Sequence, residues 1–252
     1  MVNKWTRDEQ LLALRLYFLL PFGQLHQRNK EVVSVAEAIN RTPSAVAMKA
    51  CNFASLDTAI NQKGLGNVSQ SDRDLWISFM TDSESISSES EAMYHKIVSS
   101  KLTMLNKSSA AVHERPTESI REVRVRRVQG FFRKSVLVSY NYQCALSGLK
   151  IPELLIASHI IPWSVDVSRR ADPTNGIALN ALFDKAFDKG FIAFDDNLNV
   201  MLSKKLIECS KRDIKARNLF DIEGHALILP FRFCPDAAAI DYHRENIFLD
   251  NL

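Results

Sequence analysis

Two apolar patterns of different period, set close together, constrain this chain most. LLIASHII at 154–161 is short and alternating and is closed by Pro162, which predicts a β-strand with Leu155, Ala157, His159 and Ile161 on one face. Arg169 and Arg170 then precede Asp172-Pro173-Thr174-Asn175-Gly176, a turn by composition. From about Ile177 to Lys189, the residues Leu179, Leu182, Phe183, Ala186 and Phe187 recur at helical spacing and predict a helix with one buried stripe. Strand, turn and amphipathic helix in so short a span call for a mixed layer, so the expected class is α+β.

The polar residues of that helix raise a question of charge. Asn180, Asp184 and Asp188 fall four apart on one line. Like charges at this spacing repel by about 0.2–0.5 kcal/mol in an isolated helix, and something should offset that. Lys185 and Lys189 are interleaved, so a salt-bridged surface is one reading, with Lys185 reaching Asp188. The other is a bound divalent cation, because carboxylate oxygens are the ligands hard cations prefer. A lone histidine on a strand is more often a satisfied core residue than a catalyst. Facing such a helix, however, His159 would place a base beside a metal around one phosphate.

The N-terminal part reads as helical. Thr6 and Glu9 make a capping box ahead of the apolar run from Leu11 to Phe18, which is apolar on more than one side and predicts a core helix. Val32–Ile39 predicts a second helix and Pro43–Cys51 a third, with Thr42 as N-cap and Pro43 at the first position. The words VAEAINRTPSAVAMKACNF resemble the helix-turn-helix of bacterial DNA-binding domains over roughly Trp5–Phe53. That resemblance implies Arg41, Thr42, Ser44, Lys49 and Asn52 as DNA contacts. A helical hairpin that only packs on another surface is the alternative. Ser71–Met80 predicts a further helix carrying Trp76 and Phe79, after a loop at Gly64-Leu65-Gly66-Asn67.

TDSESISSES at 81–90 is polar and acidic and reads as a linker, as does 107–119, with one helix between them at 93–105. The expected organisation is a helical domain over 1–80, a linker over 81–120 and a second domain over 121–252. Arg121, Arg124, Arg126, Arg127, Arg133 and Lys134 are opposed only by Glu122. This run is either a solvated helix face or a phosphate-contacting patch, and its junction with the apolar 136–140 stretch favours the patch. A hairpin is expected across Asp195-Asp196-Asn197-Leu198, then a basic amphipathic helix over 207–218 and a closing helix over 237–248.

FFRKSVLVSYNYQCALSGL, LLIASHIIPWS, DPTNGIALNALFDKAFDKG and FIAFDDNLNVMLS together resemble the HNH endonuclease family, in its bacterial restriction-like branch, over about Val128–Ser203. The resemblance implies a ββα-metal fold, with His159 as general base and Asn175 fixing the loop that orients it. It also implies Asp184 in the place of the closing histidine and Asp188 as a further ligand. The family's H-N-H thus stands here as H-N-D, which favours Mg²⁺ or Mn²⁺. Ser158 occupies a position where many members carry a metal-binding Asp or His, so His159 itself could join the metal shell.

The function implied is metal-dependent hydrolysis of DNA phosphodiesters, of the restriction or modification-dependent kind, with one divalent cation per site. Arg124, Arg126, Arg127, Arg169 and Arg170 join the phosphate contacts. The alternative is a DNA-binding regulator whose nuclease fold has lost its metal. The expected partner is double-stranded DNA, with or without modified bases, and a homodimer would suit a double-strand break. A net charge of +3 is too mild to identify nucleic acid by itself. Four scattered cysteines and no apolar run long enough for a membrane predict reduced thiols in a cytoplasm. The remaining histidines, His26, His95, His113, His225 and His243, read as surface or packing residues.

Overall fold

The computed structural model describes residues 4–57, 68–99, 120–212 and 220–251. The expected loop at 64–67, the linker at 107–119, His113 and the end of the 207–218 helix lie outside them. The chain divides into two compact units, one of Met1–Ser135 with Ser168–Asp172, the other of Val136–Val167 with Pro173–Leu252.

The first unit is helical. α1 (Arg7–Leu19) opens on the Thr6–Glu9 capping box and is buried from Gln10 to Leu19, as its all-round apolar pattern requires. α2 (Lys30–Ala38) and α3 (Pro43–Phe53) follow, α3 capped by Thr42 and started by Pro43. α4 (Gln70–Thr81) brings Trp76 and Phe79 to Phe18, whose ring centroid lies 4.2 Å from that of Phe79. α6 (Ile120–Ser139) adds Phe131, 5.7 Å from Phe18. The helical core therefore runs beyond the expected boundary near residue 120.

The 81–90 stretch is not a linker. It starts α5 (Ser83–Tyr94), capped by Asp82, with Ser83, Ile86, Ser87, Ser90 and Glu91 buried. Its composition is polar, but the buried positions recur at helical spacing, and small hydroxyls satisfy themselves on nearby carbonyls. Ser87 donates to the Glu84 carbonyl at 3.1 Å, Ser90 to that of Ser87 at 2.9 Å, and Ser83 to that of Ser168 at 2.8 Å.

The second unit carries the mixed layer. β1 (Leu155–His159) pairs antiparallel with β2 (Gly176–Asn180), so that Ser158 faces Ile177 and His159 faces Gly176 in register. Gly176–Asn180 is thus strand where the spacing predicts helix, and α7 is only Ala181–Asp188. IALN is too short to separate the two periods, and the burial of Ile177, Ala178 and Leu179 in ladder with β1 suits the extended form. Asn180 leaves the acidic line and becomes the N-cap, accepting from Leu182 N and Phe183 N at 3.1 and 3.0 Å. Leu182, expected in the buried stripe, is 45% exposed, whereas Phe183, Ala186 and Phe187 are buried.

Gly190 ends α7 at φ +70°, and a Cβ there would strike the Ile247 carbonyl, so the position demands glycine. β3 (Ile192–Phe194) and β4 (Val200–Leu202) form the expected hairpin. α8 (Lys204–Arg212) and the closing α9 (Ala237–Asn246) follow, and His243 of α9 lies stacked on Phe187 at 3.7 Å. Cys51, Cys144, Cys209 and Cys234 are all free. Among the described residues no helix is long and apolar enough to cross a membrane.

Candidate active site

β1, β2 and α7 bring His159, Asn175, Asp184 and Asp188 into one unit. Asn175 is 1% exposed and closes a reciprocal pair with Ile161, its Oδ1 accepting from Ile161 N at 2.8 Å and its Nδ2 donating to Ile161 O at 3.1 Å. Its own carbonyl accepts from Ile160 N at 3.0 Å. The backbone immediately after His159 is therefore held by three hydrogen bonds from one residue, which fixes where β1 delivers the histidine. His159 is half-buried, and Trp163 meets it edge-on at 5.7 Å. Trp163 had no role by sequence; its signal is its place one turn beyond the histidine in the same motif.

Strand alternation turns Ser158 to the opposite side from His159. Ser158 is 2% exposed, and its Oγ has no full hydrogen bond. It nonetheless lies close enough to Asp184 to draw that carboxyl's pKa down in part. Burial acts the other way and dominates, Asp188 adds its like charge, Lys185 offsets little, and Asp184 ends above the usual carboxylate range. Asp188 is also pushed up by partial desolvation, against Lys185 and Lys189, though it is exposed and water screens the effect. Neither aspartate closes an ion pair with the interleaved lysines, so the salt-bridged surface does not form.

Among the described residues no group of three or more His, Cys, Asp or Glu side chains stands ready to hold a metal. Two carboxylates a turn apart beside a buried hydroxyl nevertheless fit a small hard cation. Mg²⁺ commonly takes one or two carboxylates and completes its shell with water and substrate phosphate.

The expected DNA contacts all belong to the helical unit. Arg41 donates to both Glu9 oxygens at 2.8 Å and lies 4.2 Å over the Trp5 ring. Lys49 is buried with its ammonium on Asp72 at 2.8 and 3.0 Å. Thr42 and Ser44 are exposed at the start of α3 and Asn52 is half-buried near its end. Arg124 and Arg170 share Glu84, at 3.5 and 3.0 Å, and Arg169 holds Asp172 at 2.9 Å. Arg126 is exposed and Arg127 half-buried on α6. Glu84 and Glu31, both far from the basic run in sequence, therefore oppose it along with Glu122.

Residues 144–195, which span β1, β2, α7 and β3, match the model of a family described as HNH endonuclease. That match points to nuclease activity in general. No curated protein matches the chain.

Proposed function

We propose that the protein is a metal-dependent DNA endonuclease of the restriction or modification-dependent kind. The observation that carries this reading is the three-bond hold of Asn175 on the backbone behind His159, with the unpaired, raised Asp184 on the helix that follows β2. His159 accepts a proton from water, which attacks the scissile phosphorus in line. Asn175 keeps the imidazole at the end of β1 through the transition state, and the Trp163 edge restricts its ring. Asp184 and Asp188 would hold the cation, Mg²⁺ or Mn²⁺, which when bound supplies positive charge to the phosphate and the departing 3′ oxygen. The products carry a 5′-phosphate and a 3′-hydroxyl.

Thr42, Ser44 and Asn52 on α3, with Arg124, Arg126 and Arg127 on α6, are the DNA contacts this reading retains, the α6 arginines giving a salt-dependent phosphate term. Arg41, Arg169 and Arg170 reach DNA only by giving up the carboxylates they hold. Action as a homodimer in the cytoplasm completes the proposal.

Nicking of supercoiled plasmid by the full chain with Mg²⁺ or Mn²⁺ tests it. His159→Ala should slow nicking by about 10²- to 10⁴-fold and leave plasmid binding unchanged. Nicking at the wild-type rate by that variant would remove His159 as the base. Binding with no nicking by the wild type under either metal would leave a DNA-binding protein.

A further inference from the structure

The helical unit holds a cavity of about 340 Å³, walled by α1, α5 and α6, whose rim includes Arg126 and Arg127. Leu19, Val123 and Phe131 make its apolar wall. Its charged wall sets Arg15, Arg126, Arg127 and Lys134 against one carboxylate, Glu91. The balance stays positive when Glu31, which takes Lys134 at 3.0 Å, and the exposed Glu122 of α6 are included. Arg15 decides the character of the site. Its side chain is only 9% exposed, its Nε donates to Glu91 at 2.7 Å, and its guanidinium lies 3.7 Å over the Tyr94 ring. Its Nη1, however, reaches no hydrogen-bond acceptor, since the nearest Glu31 oxygen stands 3.7 Å away. With Arg126, Arg127 and Lys134 on the same wall, the guanidinium charge of Arg15 favours an anion brought to the cavity.

We propose that this cavity binds a small organic phosphate of mononucleotide size, its phosphate toward Arg15, Arg127 and Lys134 and its planar part on Leu19, Val123 and Phe131. Guanidinium forks match phosphate oxygens, and the volume lies in the range of small-molecule sites. A duplex presents its phosphates on a convex surface. Such a surface meets the exposed Arg126 at the rim but not a side chain as buried as Arg15. The phosphate arrives either on a free nucleotide or at the 5′ end of a strand. Every lining residue belongs to the helical unit, so the inference does not rest on the nuclease reading.

Calorimetric titration of the full chain, without added metal, tests it. The probes are the four deoxynucleoside 5′-monophosphates, the parent nucleosides, and a short single strand with and without a 5′-phosphate. At least one monophosphate should bind saturably and at least tenfold more tightly than its nucleoside. The Arg127→Gln, Lys134→Gln double variant, which keeps the Arg15–Glu91 pair, should weaken that binding at least tenfold, while His159→Ala binds as the wild type does. Tighter binding of the 5′-phosphorylated strand than of any monophosphate identifies a strand end as the source and supports the site. Should the double variant fail to fold, Arg15→Lys, which keeps the charge and removes the fork, should give the same loss. The proposal is overturned if neither phosphorylated probe exceeds its phosphate-free counterpart tenfold, or if the variants bind like the wild type.

Discussion

Asp72 in the helical unit and Asp184 in the mixed unit are both carboxylates drawn away from water, and the chain treats them in opposite ways. Burial alone would raise Asp72, but the Lys49 ammonium at 2.8 Å, the Ser69 hydroxyl at 2.7 Å and the Gln10 amide at 2.7 Å hold it below its usual value. Burial also raises Asp184, and there the Ser158 hydroxyl and Lys185 fail to bring it back while Asp188 pushes it further. Glu9, lowered by Arg41 and Thr6 against burial, repeats the first pattern in the helical unit, and Arg15 pairs with Glu91 at 2.7 Å. The difference separates a charge that its neighbours offset from one that they do not, and the proposed cation would act on the second. A buried carboxylate with three donors stabilises; one kept above its normal range is a cost at neutral pH.

Breaking the paired side should have the largest effect. Lys49→Met leaves Asp72 buried without its counter-charge and should cost about 3–5 kcal/mol in urea unfolding, with Asp72→Asn in the same chain restoring much of it. A loss under about 1 kcal/mol would mean that the pair holds nothing. Next comes Asn175→Ala, which strands the N–H and C=O of Ile161; about 2 kcal/mol of stability should go, and nicking should fall even where the variant is fully folded. Unchanged stability with unchanged nicking would dissolve the hold on the His159 backbone.

His243 is buried in its neutral form. Burial pushes its pKa from the ordinary value of 6.5 down to about 4, against the Phe187 carbonyl 3.1 Å from Nε2. The unfolded chain therefore binds the extra proton between those values. The contribution is fully present above pH 6.5 and is lost as the pH falls toward 4, with a slope of up to about 1.4 kcal/mol per pH unit. Unfolding of His243→Phe across that window should lack this part of the slope; an identical slope would place the titration elsewhere.

The smallest effect belongs to Asp184. A carboxyl raised on folding contributes stability at low pH and loses it as the pH rises through its folded value, so at pH 7 the charge is a liability. Asp184→Asn without metal should raise Tm by about 2 °C, the order that 1 kcal/mol gives in a chain of this size. A fall in Tm would show Asp184 to be a structural acid like Asp72.

Much of this organisation is legible along the chain, and the rest is not for definite reasons. Thr6 and Thr42 announce helix starts because capping is local, and the β3–β4 hairpin declares itself by alternation about a polar turn. The serine-rich α5 is hidden because composition speaks louder than spacing when the buried residues are small hydroxyls. β2 is hidden because Ile177–Asn180 is too short to show its period. Lys49–Asp72 and Arg15–Glu91 join residues distant in sequence, so no local pattern marks them. At the site, the line of Asp184 and Asp188 was visible from spacing, and the role of Asn175 came only through family resemblance. The buried, unbonded hydroxyl of Ser158 appears only when β1 and α7 are folded together.

Calorimetric or paramagnetic titration of Mn²⁺ into the wild type, Asp184→Asn and His159→Ala chains decides whether the two aspartates hold a cation. One Mn²⁺ should bind per wild-type chain. Asp184→Asn should weaken that binding at least tenfold and lose nicking with it, and His159→Ala should keep the metal while losing nicking. Equal Mn²⁺ binding by the wild type and Asp184→Asn, or nicking by Asp184→Asn at the wild-type rate, would contradict the account.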